Sequence, residues 1–215
     1  ADIALDSGDT ITAHCANPGS MLGVAVEGAR AWVSKSADPK RKLAYSWELA
    51  GIDGALVAIN TLNANRIAAE ALAADAVPEL AGYAAMRREV RYGAASRIDL
   101  LLEGGADGRS CYVEIKNVHL SRTQGLAEFP DSVTSRGAKH LQELAAMAKT
   151  GARAALLLVV QRPDCAAFRP AADLDPAWAG GLRQAAGAGV ETLCYDCDVS
   201  VEAVTLRRPL PVFLD

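Results

Sequence analysis

Ile98-Asp99-Leu100-Leu101-Leu102-Glu103, then the glycine-rich link Gly104-Gly105-Ala106-Asp107-Gly108, then Cys111-Tyr112-Val113-Glu114-Ile115-Lys116-Asn117-Val118 is the stretch on which the reading of this chain turns. Two apolar runs separated by turn residues read as neighbouring strands. Side chains two apart on a strand share a face, so Glu114 and Lys116 point one way while Cys111, Val113 and Ile115 point into a core. If the strands run antiparallel, Asp99 lies opposite Glu114. Two carboxylates about 4 Å apart repel by roughly 4 kcal/mol at an effective dielectric near 20. Such a pair calls for a divalent cation, a shared proton or the ammonium of Lys116. Oxygen ligands that leave room for water and phosphate suit Mg²⁺ or Mn²⁺. A metal on Asp99 and Glu114 would polarise a phosphodiester, with Lys116 positioning the nucleophile. The same three charges also fit a solvated salt-bridge ladder on a hairpin face. The strongly apolar strands that carry them favour the first reading, as do Arg87, Arg88, Arg91 and Arg97 around Glu89 just upstream. Arginines beside carboxylates suit a phosphate backbone held over a metal, although they also fit an exposed helix face.

Working outward, Pro78 to Tyr92 reads as a second helix or an Arg-rich loop, following a helix from Asn63-Ala64-Asn65 to about Asp75 with Asn63 and Asn65 as candidate caps. Ser132–Lys149 has the spacing of a long amphipathic helix ended by Gly151, and Asp175-Pro176 opens a third helix. Ala154–Gln161 is an uninterrupted apolar strand of the kind buried on both faces, and Val190–Cys197 is a last core strand. Strands alternating with helices indicate an α/β domain. The first sixty residues differ in texture. Ala1–Leu5, Asp9–His14, Met21–Val26, Ala31–Lys35, the alternating Tyr45, Trp47 and Leu49, and Ala55–Ile59 are short β elements at close spacing, which suggests a small barrel.

Composition sets the outer limits. The 215 residues are 51% hydrophobic and 22% charged, which excludes wholesale disorder, a coiled coil and a small disulfide scaffold. Lys plus Arg number 22 against 26 Asp plus Glu, a net charge of −4, so a wholly basic nucleic-acid coat is excluded but a local basic groove is not. No apolar run approaches the ~20 residues of a membrane helix. The five scattered cysteines fit reduced thiols of the cytoplasm, and Cys194-Tyr195-Asp196-Cys197, with no second pair, reads as small core residues. His14, His119 and His140 are isolated, His140 being the one that Lys139 beside it associates with the site.

Asp99 with Glu114-Ile115-Lys116 resembles the D…ExK signature of the PD-(D/E)XK nuclease superfamily. The surrounding text is more specific. Cys15-Ala16-Asn17-Pro18-Gly19-Ser20-Met21, Lys40-Arg41-Lys42, Asn60-Thr61-Leu62-Asn63-Ala64-Asn65-Arg66, Ser96-Arg97-Ile98-Asp99 and Phe129-Pro130-Asp131-Ser132-Val133-Thr134 resemble, in order, the sugar fermentation stimulation protein A (SfsA) family over nearly the whole chain. The resemblance implies an α/β protein with a small β domain: an N-terminal OB-like barrel at residues 1–60, its first strand expected to be missing, and a PD-(D/E)XK nuclease-like mixed-sheet domain at 61–215. It also implies largely non-specific binding of double-stranded DNA and regulation of sugar (maltose) use. Carried over residue by residue, it makes Asp99 and Glu114 metal ligands, Lys116 a positioning base, and Glu89 a further acidic residue on a helix before the core strands. Lys40, Arg41, Lys42, Arg87, Arg91, Arg97, Arg136 and Lys139 become phosphate contacts. Ala16 and Pro18 depart from the commoner Cys-Pro-Asn-Thr/Ser-Gly loop, and His119 stands where Thr is common. The expected cofactor is Mg²⁺ or Mn²⁺. The expected partner is duplex DNA in the cytoplasm, at the nucleoid, with no membrane and with homodimerisation left open. Three readings remain: a DNA-binding regulator with a retained nuclease-like site, an active Mg²⁺-dependent endonuclease, and a ligand- or protein-interaction module without DNA.

Overall fold

The strand Arg153–Val160, Arg-Ala-Ala-Leu-Leu-Leu-Val-Val, is apolar at seven consecutive positions and every one of these is buried. It can satisfy that pattern only between two covered faces, and a computed structural model, which describes residues 1–93 and 96–214, places it at the centre of the larger sheet. Ala94, Ala95 and Asp215, which fall within the range expected for the second domain, lie outside the described residues.

In chain order the strands are β1 (Asp2–Ala4), β2 (Thr10–Cys15), β3 (Ala31–Lys35), β4 (Tyr45–Ile52), β5 (Ala55–Ala58), β6 (Ala85–Tyr92), β7 (Ser96–Glu103), β8 (Cys111–Val118), β9 (Leu120–Thr123), β10 (Leu126–Phe129), β11 (Arg153–Val160), β12 (Ala167–Pro170), β13 (Glu191–Val199) and β14 (Val204–Pro209). The helices are α1 (Ala64–Ala73), α2 (Ser135–Lys149) and α3 (Pro176–Gly187). Strands β1 to β5 form one sheet in which β2 and β4 are parallel. The six-stranded sheet has the order β14-β13-β11-β8-β7-β6, with β11 parallel to both β8 and β13 and antiparallel pairs at both ends. Its two faces carry separate cores. Ile67, Ala68 and Leu72 of α1 pack with Val113, Ile115, Leu157 and Val159 on one side. Leu141 and Leu144 of α2 and Trp178 and Leu182 of α3 pack with Leu156, Leu158 and Val160 on the other. Thr134 caps α2 by accepting from Gly137 N–H at 3.1 Å, and Asp175 caps α3 by accepting from Trp178 N–H at 2.9 Å.

Four expectations are corrected. Pro78–Tyr92 is neither a helix nor a loop: after a single 3₁₀ turn at Pro78–Leu80, strand β6 pairs along β7. Met86, Val90 and Tyr92 turn inward with a strand period that Arg88 interrupts, which hides the pattern in the sequence. Glu89 is therefore not on a helix; it is an exposed strand residue at φ 53°. Met21–Val26 is not a strand, because Met21 adopts φ 57° and begins a turn that buries Met21 and Val24. Asn63 holds the N-cap position of α1 but makes no cap hydrogen bond; the side-chain cap is one turn earlier, where Asn60 accepts from Leu62 N–H at 3.1 Å at the start of the 3₁₀ turn Thr61–Asn63, and Asn65 is engaged elsewhere. The sheet β12-β10-β9 and the edge strand β14 were not expected. Cys194 and Cys197 are free thiols buried in different cores, as small packing residues should be.

Truncating Leu158, fully buried in β11, to alanine is expected to cost about 2–5 kcal/mol. Val133→Ala, at a position 75% exposed, should stay within about 0.5 kcal/mol of the parent. Urea denaturation followed by circular dichroism measures both.

Candidate functional site

The register of β7 and β8 pairs Leu100 with Val113, so the next step sets Asp99 against Glu114. Regular pairing ends there. Asp99 Oδ2 takes the place of a strand carbonyl and accepts from Ile115 N–H at 2.7 Å. The alternation of the β7 side chains slips at the same point: Ile98 and Leu101 pack on the α2 side, Leu100 and Leu102 on the α1 side. Asp99 Oδ1 accepts from Asn65 Nδ2, on the first turn of α1, at 2.8 Å. Glu114 and Lys116 share one face of β8, and Lys116 Nζ donates to Glu114 Oε1 at 2.6 Å. His140 Nδ1, from α2, contacts the same oxygen. Both neighbours take Oε1, so the buried Oε2 of Glu114 has no hydrogen-bond partner among the described residues.

Burial raises the Asp99 carboxyl above its ordinary pKa and the charge of Glu114 adds to this, against the N–H donors and Lys116. Burial acts on Glu114 as well, but the His140 hydrogen bond and the Lys116 charge outweigh it and hold Glu114 below the usual carboxylate range. Tyr92 and Glu143 complete the surroundings. Burial and the charges of Glu114, Glu143 and Asp99 push the Tyr92 phenol upward, and it remains protonated. Among the described residues no group of three or more His, Cys, Asp or Glu side chains is placed to hold a metal ion.

Of the residues expected at the site, Asp99, Glu114 and Lys116 come together, and His140 joins them. Glu89 stands opposite Asp99 in the strand register but is exposed and forms no hydrogen bond or ion pair among the described residues. The side chain that reaches Asp99 from a preceding helix is an amide, Asn65. Arg91 and Arg97 are exposed cross-strand partners on β6 and β7, and Arg87 lies 3.5 Å from Glu103. Arg136 and Lys139 are exposed on α2, the first 3.4 Å from His140 Nε2 and the second 3.8 Å from Glu143. Lys40, Arg41 and Lys42 sit in the β3–β4 loop of the first sheet, where Arg41 is spent on Ser46 Oγ at 2.7 Å. Asn65, Tyr92 and Glu143 were missed. Glu143 had a signal, since it follows His140 by one helical turn.

A cleft of about 410 Å³ opens beside Lys116 between the first sheet and the larger one, with Asn17, Asn65, His119, Phe129 and Asp131 among its walls. Asp131 holds its two sides together. Its Oδ2 accepts from Met21 N–H at 2.9 Å, its carbonyl accepts from Ser20 Oγ at 2.6 Å, and Asn17 Nδ2 donates to Ile59 O at 3.2 Å nearby. A Cβ on Gly19 would come within 2.5 Å of the Asp131 carboxylate, so any larger residue there would push that carboxylate out of its place.

Family models now decide the lineage. Residues 62–203 match the model described as the sugar fermentation stimulation protein RE domain, and residues 1–59 match the SfsA N-terminal OB domain. This chain belongs to the sugar fermentation stimulation protein family. Its first sheet is the OB domain of SfsA, and the whole is the expected α/β protein with a small β domain. Sugar fermentation stimulation protein homologs from Maricaulis maris and Caulobacter vibrioides are 53% identical over 214 residues and 55% identical over 208. These alignments cover 100% and 97% of this chain and 91% and 87% of those relatives. The structure of Pyrococcus furiosus SfsA in complex with Ca²⁺ superposes with a TM-score of 0.87 at 27% identity, covering 96% of this chain and 87% of that one. No helix among the described residues is long and apolar enough to cross a membrane.

Asp131 lies below its ordinary pKa: burial opposes this, and the His119 ring, whose Nε2 is 3.4 Å away, and the Met21 N–H outweigh it. A depressed carboxyl contributes stability that is complete above the unfolded aspartate pKa and is lost as the pH falls through the lower folded value. Hydrogen-exchange protection of the Met21 amide, corrected for intrinsic rate, should therefore fall on acidification below about pH 4. Asp131→Asn should remove that dependence, and Asp131→Ala should cost about 1–3 kcal/mol.

Proposed function

We propose that this protein binds double-stranded DNA, largely without sequence preference, and holds a divalent cation between Asp99 and Glu114 at a PD-(D/E)XK-like site. The observation that carries the reading is the neighbouring pair of carboxylates, one with a buried oxygen that no described residue satisfies. A buried carboxylate oxygen without a partner is costly, and a hard cation is the ligand its chemistry favours. Asp99 keeps a lone pair on each oxygen beyond its two accepted bonds, so the donor set fits Mg²⁺, Mn²⁺ or the Ca²⁺ of the Pyrococcus furiosus SfsA complex. Two carboxylates leave the remaining ligands to water and phosphate. When bound, such an ion supplies Lewis-acid polarisation of a phosphodiester and a lowered pKa for water.

The residues around it have separate tasks. His140 and Lys116 fix Glu114 through Oε1 and so present Oε2. Asn65 and Ile115 N–H fix Asp99. Lys116 Nζ spends one of its three protons on Glu114 and has two for a phosphate oxygen or an attacking water. Arg88, Arg91 and Arg97, exposed beside the strand break, supply charge for the phosphate backbone. Control of sugar (maltose) genes is the cellular role that such binding would serve.

Fluorescence anisotropy of a labelled duplex tests the reading. Log affinity should fall with log salt by about 0.9 per phosphate contact, and Arg91→Ala and Arg97→Ala should each reduce that slope by about one contact. Calorimetry with Mn²⁺ should give one binding event that Glu114→Gln removes. Duplex affinity indifferent to salt would sink the DNA reading. Plasmid nicking in Mn²⁺ that disappears in Lys116→Ala would make the protein a nuclease, and tight binding without nicking would make it a binding protein built on that site.

A further inference from the structure

We propose that the cleft beside Lys116 receives a single unpaired nucleotide, held next to the phosphate that the Asp99–Glu114 pair faces. The inference rests on the nucleic-acid reading above and names what part of the substrate the cleft takes. Its volume of about 410 Å³ is in the range of pockets that enclose one small organic molecule, roughly 300–1,000 Å³. A space of that size admits one nucleotide and not a stack of base pairs. It is continuous with the candidate site, because Lys116 and Asn65 belong to both.

The walls suit a base. Phe129, Pro130 and Pro18 supply flat apolar surface, and Thr61 and Thr134 line the same space. His119, 5% exposed, also lines this space, with its Nε2 turned to the Asp131 carboxylate at 3.4 Å. A flat imidazole in the wall adds to the surface on which a base can rest.

The rim points the same way. Leu62 and Val133, 74% and 75% exposed, are the most exposed large hydrophobic residues described. Val133 lines the cleft, and Leu62 stands between Thr61 and Ala64, which also line it. Exposed aliphatic side chains at the edge of a cationic nucleic-acid site act as wedges that part stacked bases. Arg136, exposed on α2 just after Val133, provides the positive charge beside them. A protein partner would be matched to the apolar rim but not to the lysine and the paired carboxylates at the floor.

The full chain is titrated in EDTA against a labelled duplex and against the same duplex carrying one central unpaired nucleotide. An extruded nucleotide already free of its partner saves the cost of unpairing, so the bulged duplex should bind at least about tenfold more tightly. Ser132→Trp, which fills the cleft from its edge and touches none of the carboxylate site, should abolish that preference while leaving perfect-duplex affinity within about twofold of the parent, since phosphate contacts carry it. Leu62→Ser with Val133→Ser, at exposed positions that the fold does not depend on, should reduce the preference several-fold. Equal affinity of the wild-type protein for the two duplexes overturns the inference and leaves the DNA reading standing. So does a preference that survives both the filled and the rim variants. Failure to bind either duplex overturns both.

Discussion

The hydrogen bond from Ile115 N–H to the Asp99 carboxylate, at 2.7 Å, is what allows everything around it. Strands β7 and β8 have to separate if two carboxylates are to face a shared space, and separation strands a backbone donor inside the protein. An orphaned buried N–H costs as much as a lost hydrogen bond. Asp99 removes that cost with a side chain, and in doing so is itself fixed. Asn65 holds its other oxygen, while His140 and Lys116 fix Glu114 from the α2 side and from along the strand. The site is thus built from both layers of the sheet. One acid is tied to α1 and the other to α2, so the relative position of the two oxygens reports on the packing of both cores.

Charge is distributed by the same logic. The protein is acidic overall, yet its buried acids are nearly all assigned to partners. Glu128 is clasped by Arg122 and Arg169, and Asp196 by Arg207 and Arg208. Those arginines are spent on structure. Among the arginines left exposed and without an ion pair among the described residues, Arg88, Arg91, Arg97 and Arg136 sit at the β6–β7 edge and on α2, on the elements that carry or flank Asp99 and Glu114. Net charge says little about such a molecule, because pairing decides which charges reach solvent.

Much of this was legible because a few residues carry unambiguous periodicity. The apolar run at β11 can only be a central strand, and the two-residue spacing of Glu114 and Lys116 sets their common face. Asp99 opposite Glu114 follows from the link between them. What the sequence concealed has specific causes. Arg88 breaks the alternation of β6, and the strands β9, β10 and β12 have only four residues each. They are held by ion pairs such as Arg122 with Glu128, so no apolar period marks them. Asn65 looked like a helix cap because its residue type serves both purposes equally well. Only the position of Asp99, sixteen residues from the amide that binds it on one side and thirty-four from Asn65 on the other, tells the two apart, and that is information about the folded chain.

Strand β6 lies at the open border of the six-stranded sheet, with backbone groups available to any other extended chain that comes alongside. Three arginines on eight residues, and a left-handed Glu89 that kinks the border, make it a poor template for such an addition. The side chains we propose to meet a phosphate backbone therefore also keep the protein from assembling edge to edge. Neutralising them would expose a route to aggregation and lower solubility whatever else they bind.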